Sequence, residues 1–236
     1  MTWARWRVAA AVVAVIVAAA VAFTVSRRES APPVPRRPAL LLVTSLPLMF
    51  PDQFTLNGGG SPALTALKTR YRVVPISVTD DADLAKGRLL LMAHPLAQPA
   101  EDLVALDDWV RGGGRVLLLA DPLLEWPSTR PLGDPLRPPP MFMDTGLLAH
   151  WGLRLDAPDE SGLREEQLDG HQVLTDSPGR LTGPCAIGEG GLVAHCRIGK
   201  GRATIIADAD FIDAERLGRP ANLYALLAEL ATLERG

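Results

Sequence analysis

Five short apolar runs recur along the chain: Ala39 to Thr44 (ALLLVT), Arg72 to Val78 (RVVPISV), Arg88 to Ala93 (RLLLMA), Arg115 to Ala120 (RVLLLA) and Arg202 to Ala207 (RATIIA). Each is unbroken rather than alternating and is bounded by turn residues, as in strands buried on both faces of a parallel sheet. Helical periodicity fills the gaps. Ser61-Pro62 joins an N-cap to a Pro at the first helical position and opens a helix with Leu64 and Leu67 inward. Leu103, Leu106 and Val110 mark a stripe from Pro99 to Arg111 that Gly112-Gly113-Gly114 ends. A last stripe comprises Leu223, Leu226, Leu227, Leu230 and Leu233. Strand and helix alternating in this way predict an α/β fold: a flavodoxin-like, doubly wound, mostly parallel sheet.

Two stretches break the alternation. Residues 123–143 (LLEWPSTRPLGDPLRPPPMFM) are too rich in Pro for regular structure and form a long connection after the fourth strand. Residues 171–197 read as an antiparallel hairpin addition, with a hairpin turning at Gly190-Gly191. That register sets Glu189 against Leu192, Ile187 against Ala194 and Cys185 against Cys196. Directly opposed cysteines lie within disulfide range, and a bond would imply an oxidising compartment; two small buried thiols are the alternative.

One apolar run is of another kind. Val8 to Val25 holds eighteen residues without a charge, flanked by Trp3, Arg5, Trp6 and Arg7 on one side and Arg27 and Arg28 on the other. At about 1.5 Å per residue it nearly matches a ~30 Å hydrocarbon core, and it lacks the polar face of a surface helix. The expected organisation is a transmembrane anchor at 1–25, a stiff Pro/Arg-rich linker at 26–38 and one α/β domain at 39–236. A cleaved signal peptide competes with the anchor, because Ala20-Val21-Ala22 has the small residues a signal peptidase accepts. Arginines on both sides leave the positive-inside rule undecided.

Charge sharpens this division. Residues 1–37 carry six Arg and one Glu, a net +5, whereas the rest of the chain carries 18 basic and 26 acidic groups, a net −8. A weakly acidic body without a basic stripe argues against nucleic acid as a partner. Only three residues are Lys, and Ala, Gly and Pro are abundant, a composition that suits a GC-rich bacterial genome.

Ligands of open α/β sheets bind at the carboxyl ends of the strands. Ser45, His94, Asp121, Asp208 and Asp210 fall there, and three carboxylates with an imidazole suit metal binding or acid/base work. The plainer reading is that each Asp caps the turn that follows it. Trp126, Ser128, Arg130, Asp134 and Arg137 lie on the Pro-rich connection and would overhang the same edge, where Trp and Arg suit a contact surface. Asn57-Gly58-Gly59-Gly60-Ser61 lacks the Lys and spacing of a phosphate loop, and no cofactor motif is present. His150 and His195 have no second ligand at metal spacing and read as structural. A hydrolase elbow needs Ser or Cys after a strand, but Asp121-Pro122 stands after RVLLLA, so acyl transfer has no nucleophile.

LDDWVRGGGRVLLLADP (106–122), WPSTRPLGDP (126–135), GLLAHWGLRLD (146–156) and GKGRATIIADADF (199–211), followed by Asn222, resemble the auxiliary domain of uncharacterised ABC transport systems of the gliding-motility type. The soluble part of that family is similar to a class I glutamine amidotransferase fold. The resemblance implies a membrane-tethered, extracytoplasmic domain beside an ABC permease in a bacterial inner membrane, facing the periplasm and without catalysis. Family members often end in a second membrane helix, and none follows Leu233. The expected function is a non-catalytic auxiliary subunit contacting a permease through the strand-end face and Pro-rich loop, with no cofactor or metal. Two alternatives remain: a metal-assisted hydrolase using His94, Asp121, Asp208 and Asp210, and a sensor of a small polar ligand in the same cleft.

Overall fold

A computed structural model describes residues 37–49 and 60–235. The expected anchor at 8–25, most of the linker and Asn57 to Gly59 lie outside the described residues. Among the described residues no helix is long and apolar enough to cross a membrane.

The predicted strands form where the apolar runs stand: β1 (Ala39–Thr44), β2 (Arg72–Pro75), β3 (Leu89–Ala93), β4 (Arg115–Leu119) and, much later in the chain, β11 (Gly201–Ile206). They pair in parallel in the order β2-β1-β3-β4-β11, and β10 (Val193–Ile198) and β9 (Ala186–Ile187) extend the sheet antiparallel beyond β11. All five residues of β3 are buried, which is why its sequence shows no alternation. The result is a seven-stranded, mostly parallel, doubly wound sheet.

Helices cover both faces. α1 (Pro62–Arg70) and the C-terminal α5 (Ala221–Arg235) pack with Leu40, Leu42, Leu91 and Leu117 on one face. The Ser61 side chain accepts from the Leu64 amide at 3.1 Å, the cap that Ser61-Pro62 predicts. α2 (Asp81–Leu84), α3 (Ala100–Arg111) and α4 (Leu147–His150) lie on the side of Leu41, Leu90, Val116 and Leu118. Gly114 after α3 and Gly201 at the start of β11 permit close approach. A Cβ at Gly114 would stand 2.2 Å from the Trp109 ring, and one at Gly201 would stand 2.0 Å from the Val110 carbonyl oxygen, so helix and strand meet backbone to backbone.

The antiparallel addition is larger and differently divided than 171–197 implies. β6 (Leu163–Leu168) and β7 (His171–Asp176) form a separate hairpin, and β5 (Arg154–Asp156) pairs with β8 (Arg180–Thr182) in another two-stranded sheet. Within the Cys hairpin, Ala194 opposes Ile187 as expected and Cys185 is bonded to Cys196 with a Cα separation of 4.9 Å. The turn itself differs from expectation. Glu189–Gly191 coil into a 3-10 turn, and the Gly188 amide donates to the Val193 carbonyl, so Glu189 and Leu192 do not pair as a two-residue Gly-Gly turn requires.

Candidate functional site

Asp121 follows β4 and Asp208 follows β11, two neighbouring parallel strands, which brings both carboxyls under one edge with Asp210 and His94; all four side chains are fully buried. Their oxygens are occupied by the protein's own backbone. Asp121 accepts from the amides of Leu123 at 2.9 Å and Ala209 at 2.7 Å. Asp208 accepts from Phe211 at 2.6 Å and from Asp176 at 3.1 Å. Asp210 accepts from the Glu125 amide at 2.7 Å and from the Arg216 guanidinium at 2.8 Å. Arg216 also reaches Asp176 at 2.7 Å and Asp213 at 3.2 Å, one cation among several acids. Asn222 completes the lattice, accepting from the Leu174 amide and donating to the carbonyls of Leu174 and Phe211. This is capping chemistry, and it stitches three separate loops together beneath the sheet edge.

Burial, opposed by these backbone amides, raises the carboxyls of Asp121 and Asp208 above the ordinary range, each reinforced by neighbouring acids. Asp210 is pushed up to about 7 by burial and then by Asp121, with the Glu125 amide and Arg216 holding it back only in part. His94 moves the other way: burial lowers it to about 4 although its ring meets the Pro139 carbonyl. A carboxyl raised in the folded state lends stability that is complete below its unfolded pKa and is lost as pH climbs through the folded value. His94, depressed, lends stability that is lost as pH falls toward 4. The raised acids outnumber the one depressed imidazole, so the domain is expected to be more stable at pH 5 than at pH 8. Thermal melts at the two pH values read this directly, and a higher midpoint at pH 8 would contradict it.

The Pro-rich connection lies over this lattice and is fixed to it. Its residues bond downward through Glu125 to Asp210, Phe142 amide to Asp121 carbonyl at 2.6 Å, and Pro139 carbonyl to His94 Nε2 at 2.9 Å. Within the loop, the Leu124 amide donates to the Pro140 carbonyl, Arg137 donates to the Arg130 carbonyl at 2.5 Å, and Asp134 holds the Leu136 amide and pairs with Arg130 at 3.6 Å. Ser128 accepts from the Arg130 amide, and Trp126 is half-buried against the core. The loop therefore overhangs the strand ends as expected. Of the residues singled out there, Trp126, Ser128, Arg130, Asp134 and Arg137 keep partial exposure, whereas His94, Asp121, Asp208 and Asp210 present no surface to a partner.

What the loop does present is apolar. Leu132 is 81 % exposed, Leu136 65 %, Met141 50 % and Met143 51 %, with Leu96 beside β3 at 50 %. Single leucines and methionines among prolines carry no periodicity, so no sequence pattern marks these residues. Where Leu96, Phe142 and Met143 meet, the crevice holds only about 10 Å³, room for about one water.

A second cluster lies elsewhere. His195 points from β10 toward the α5 side, directly opposite Thr204 on β11, and its Nδ1 lies 3.1 Å from Thr204 Oγ1. Its Nε2 faces Asp169 Oδ2 at 2.8 Å. Glu229, from the middle of α5, is buried beneath them, and burial together with the adjacent Asp169 carboxylate raises it to about 7. No second ligand stands at metal spacing beside His195 in the sequence; its acidic neighbours come from 26 residues before it and 34 after it, distances no local spacing rule covers. Asp169-Gly170 is the legible signal, since Asp-Gly favours a two-residue hairpin turn, and here it joins β6 to β7 with φ of 46° and 84°. His150, by contrast, pairs at the surface with Asp107 at 3.2 Å.

No family model matches the chain, and no curated protein matches it by sequence. By structure it is similar to the mmIFT52 N-terminal domain, at 13% identity and TM-score 0.53, over 84% of this chain and 98% of that one. It is also similar to the cytoplasmic protein STM3548 from Salmonella typhimurium, at 9% identity and TM-score 0.51, over 82% and 98%. A third likeness is to the exo-β-1,4-mannosidase Op5Man5 from Opitutaceae bacterium strain TAV5, at 14% identity and TM-score 0.52, where the match covers 82% of this chain but spans only 36% of that enzyme. At such identities the likeness shows the fold alone. By name, none of the three is an ABC-transport component or an amidotransferase.

Proposed function

We propose that this chain is a membrane-anchored, non-catalytic auxiliary subunit of an ABC-type transport system. In this reading a helix at 8–25 carries a flavodoxin-type domain outside the cytoplasmic membrane, and the loop at 123–143 contacts an integral permease subunit. The observation that carries it is the state of that loop: pinned at its base by buried carboxylates and His94, yet exposing Leu132, Leu136, Met141 and Met143. Rigid apolar projections cost solvation and are kept where a partner covers them. The Cys185–Cys196 bond supports an oxidising side of the membrane.

The same geometry weighs against catalysis at the strand ends. The chain's own loop fills the crevice that a substrate takes in open sheets, and the carboxylates there already accept backbone amides. Asp121-Pro122 occupies the elbow position, so no nucleophile stands there.

Affinity capture of the tagged full chain from solubilised membranes is expected to retain a permease and its ATPase. Leu132→Ser combined with Leu136→Ser should cut that recovery at least tenfold, as expected for hot-spot residues worth about 2 kcal/mol, while leaving the melting temperature within about 2 °C. Equal recovery by the variant, or a capture without transporter subunits, would overturn the reading.

A further inference from the structure

We propose that Asp169, His195 and Glu229 form a binding site for a divalent transition-metal ion, zinc fitting best, at the wall of a cavity between β10, β11 and α5. One ligand atom from each residue lies within 4.8 Å of the others. Around a tetrahedral zinc, donors at about 2.0 to 2.2 Å from the metal stand roughly 3.4 Å apart, so seating the ion needs a closure of about 1.5 Å at most. The Asp169–His195 edge is already at 2.8 Å.

Two observations separate this cluster from an ordinary surface ion pair. Glu229 is only 2 % exposed; its carboxyl meets Asp169, and its remaining oxygen, Oε2, has no hydrogen-bond partner. A carboxylate buried in that way is costly unless a cation or donor meets it. The contact between His195 Nε2 and Asp169 is close but misaligned for a hydrogen bond, so Nε2 too is without one. Glu229 Oε2 and His195 Nε2 are thus two buried polar atoms without an aligned hydrogen bond in one cluster.

The surroundings suit a metal-binding imidazole. Thr204 Oγ1 lies 3.1 Å from Nδ1 and can accept its N–H, so that when an ion is bound the Nε2 lone pair is free to ligate it. Thr204 itself is buried by the sheet, so this orientation is fixed from behind. One imidazole and two carboxylates are borderline and hard donors, a set that binds zinc and its first-row neighbours in preference to calcium or copper(I). Three protein ligands leave coordination open on the cavity side, where about 290 Å³ is lined by Arg197, Arg202 and Thr232. Water or a small oxyanion drawn by the two arginines completes the shell there. The site lies on the α5 face of the sheet and does not depend on the loop contact proposed above.

Calorimetric titration of zinc chloride into the chelator-treated full chain tests this. The expected result is saturable binding at one ion per chain. Glu229→Gln and Asp169→Asn should each weaken it at least tenfold, and Thr204→Val, which frees the imidazole, by about 10- to 100-fold. Asp169 lies in a surface turn, so Asp169→Asn carries the test if Glu229→Gln does not fold. Absence of saturable binding, or binding that the Asp169 variant leaves unchanged, would overturn the proposal.

Discussion

Asp208→Ala is expected to cost about 4 kcal/mol of stability. The substitution leaves the amides of Phe211 and Asp176 buried without an acceptor, at about 1 to 3 kcal/mol each, and opens a small void below the sheet edge. Asp208→Asn keeps one acceptor but turns an amide nitrogen toward a backbone N–H, and is expected to cost about half as much. Urea denaturation with matched slopes measures both. The sign is diagnostic of role. A catalytic carboxyl held in a site for its chemistry is commonly a liability, and its removal stabilises the fold. A capping carboxyl is the reverse. A gain in stability on Asp208→Ala would reopen the acid/base reading of His94, Asp121, Asp208 and Asp210, whereas the predicted loss assigns them to the scaffold that holds the loop.

Replacing both Cys185 and Cys196 with Ala is expected to cost about 3 kcal/mol, the chain-entropy value for a loop of roughly a dozen residues, and to lower the melting temperature by about 6 to 12 °C. The bond ties down β9, a two-residue edge strand with both residues exposed, paired to β10 only through Ala186 and Ile187. Its loss should therefore fray the edge first. Amide exchange at Ala186 and Ile187 should accelerate, while β10 and β11, joined along six residue pairs, keep their protection. Unchanged melting on reduction would mean that the sheet edge is held by other contacts. Such a result would also remove the argument from the cysteines for an oxidising compartment.

Legibility followed the range of the interaction concerned. The parallel strands were readable because each is buried on both faces, so five or six apolar residues in a row leave few alternatives. Observed ends fall within a residue of expectation except in β2, which stops at Pro75 rather than Val78. α1 was readable from Ser61-Pro62 because a cap is a contact between residues three apart. The register that opposes Cys185 and Cys196 was likewise local, although the turn geometry was not: Gly190 and Gly191 both take positive φ, but inside a longer 3-10 turn that a dipeptide rule does not describe.

The site was less legible. That Asp121, Asp208 and Asp210 gather at one edge followed from strand order, but whether they cap or catalyse depended on which groups face each oxygen. Arg216, Asp176 and Asn222, which complete the lattice, stood out only weakly or not at all. The exposure of Leu132 and Leu136 is a property of a loop whose path is set by His94, Asp121 and Asp210 from distant segments. The grouping of Asp169, His195 and Glu229 depends on a hairpin, a sheet edge and a helix arriving at the same place.

By itself, then, the sequence determined the parallel strands, the main helices and the opposition of the two cysteines, because periodicity, capping and burial act between near neighbours. Tertiary structure alone decided that the strand-end carboxylates grip backbone amides and that an imidazole stands over a buried glutamate. The decisive contacts, Asp121 with Ala209, Asp208 with Asp176 and His195 with Asp169 and Glu229, join positions tens of residues apart, and no local pattern in the chain encodes them.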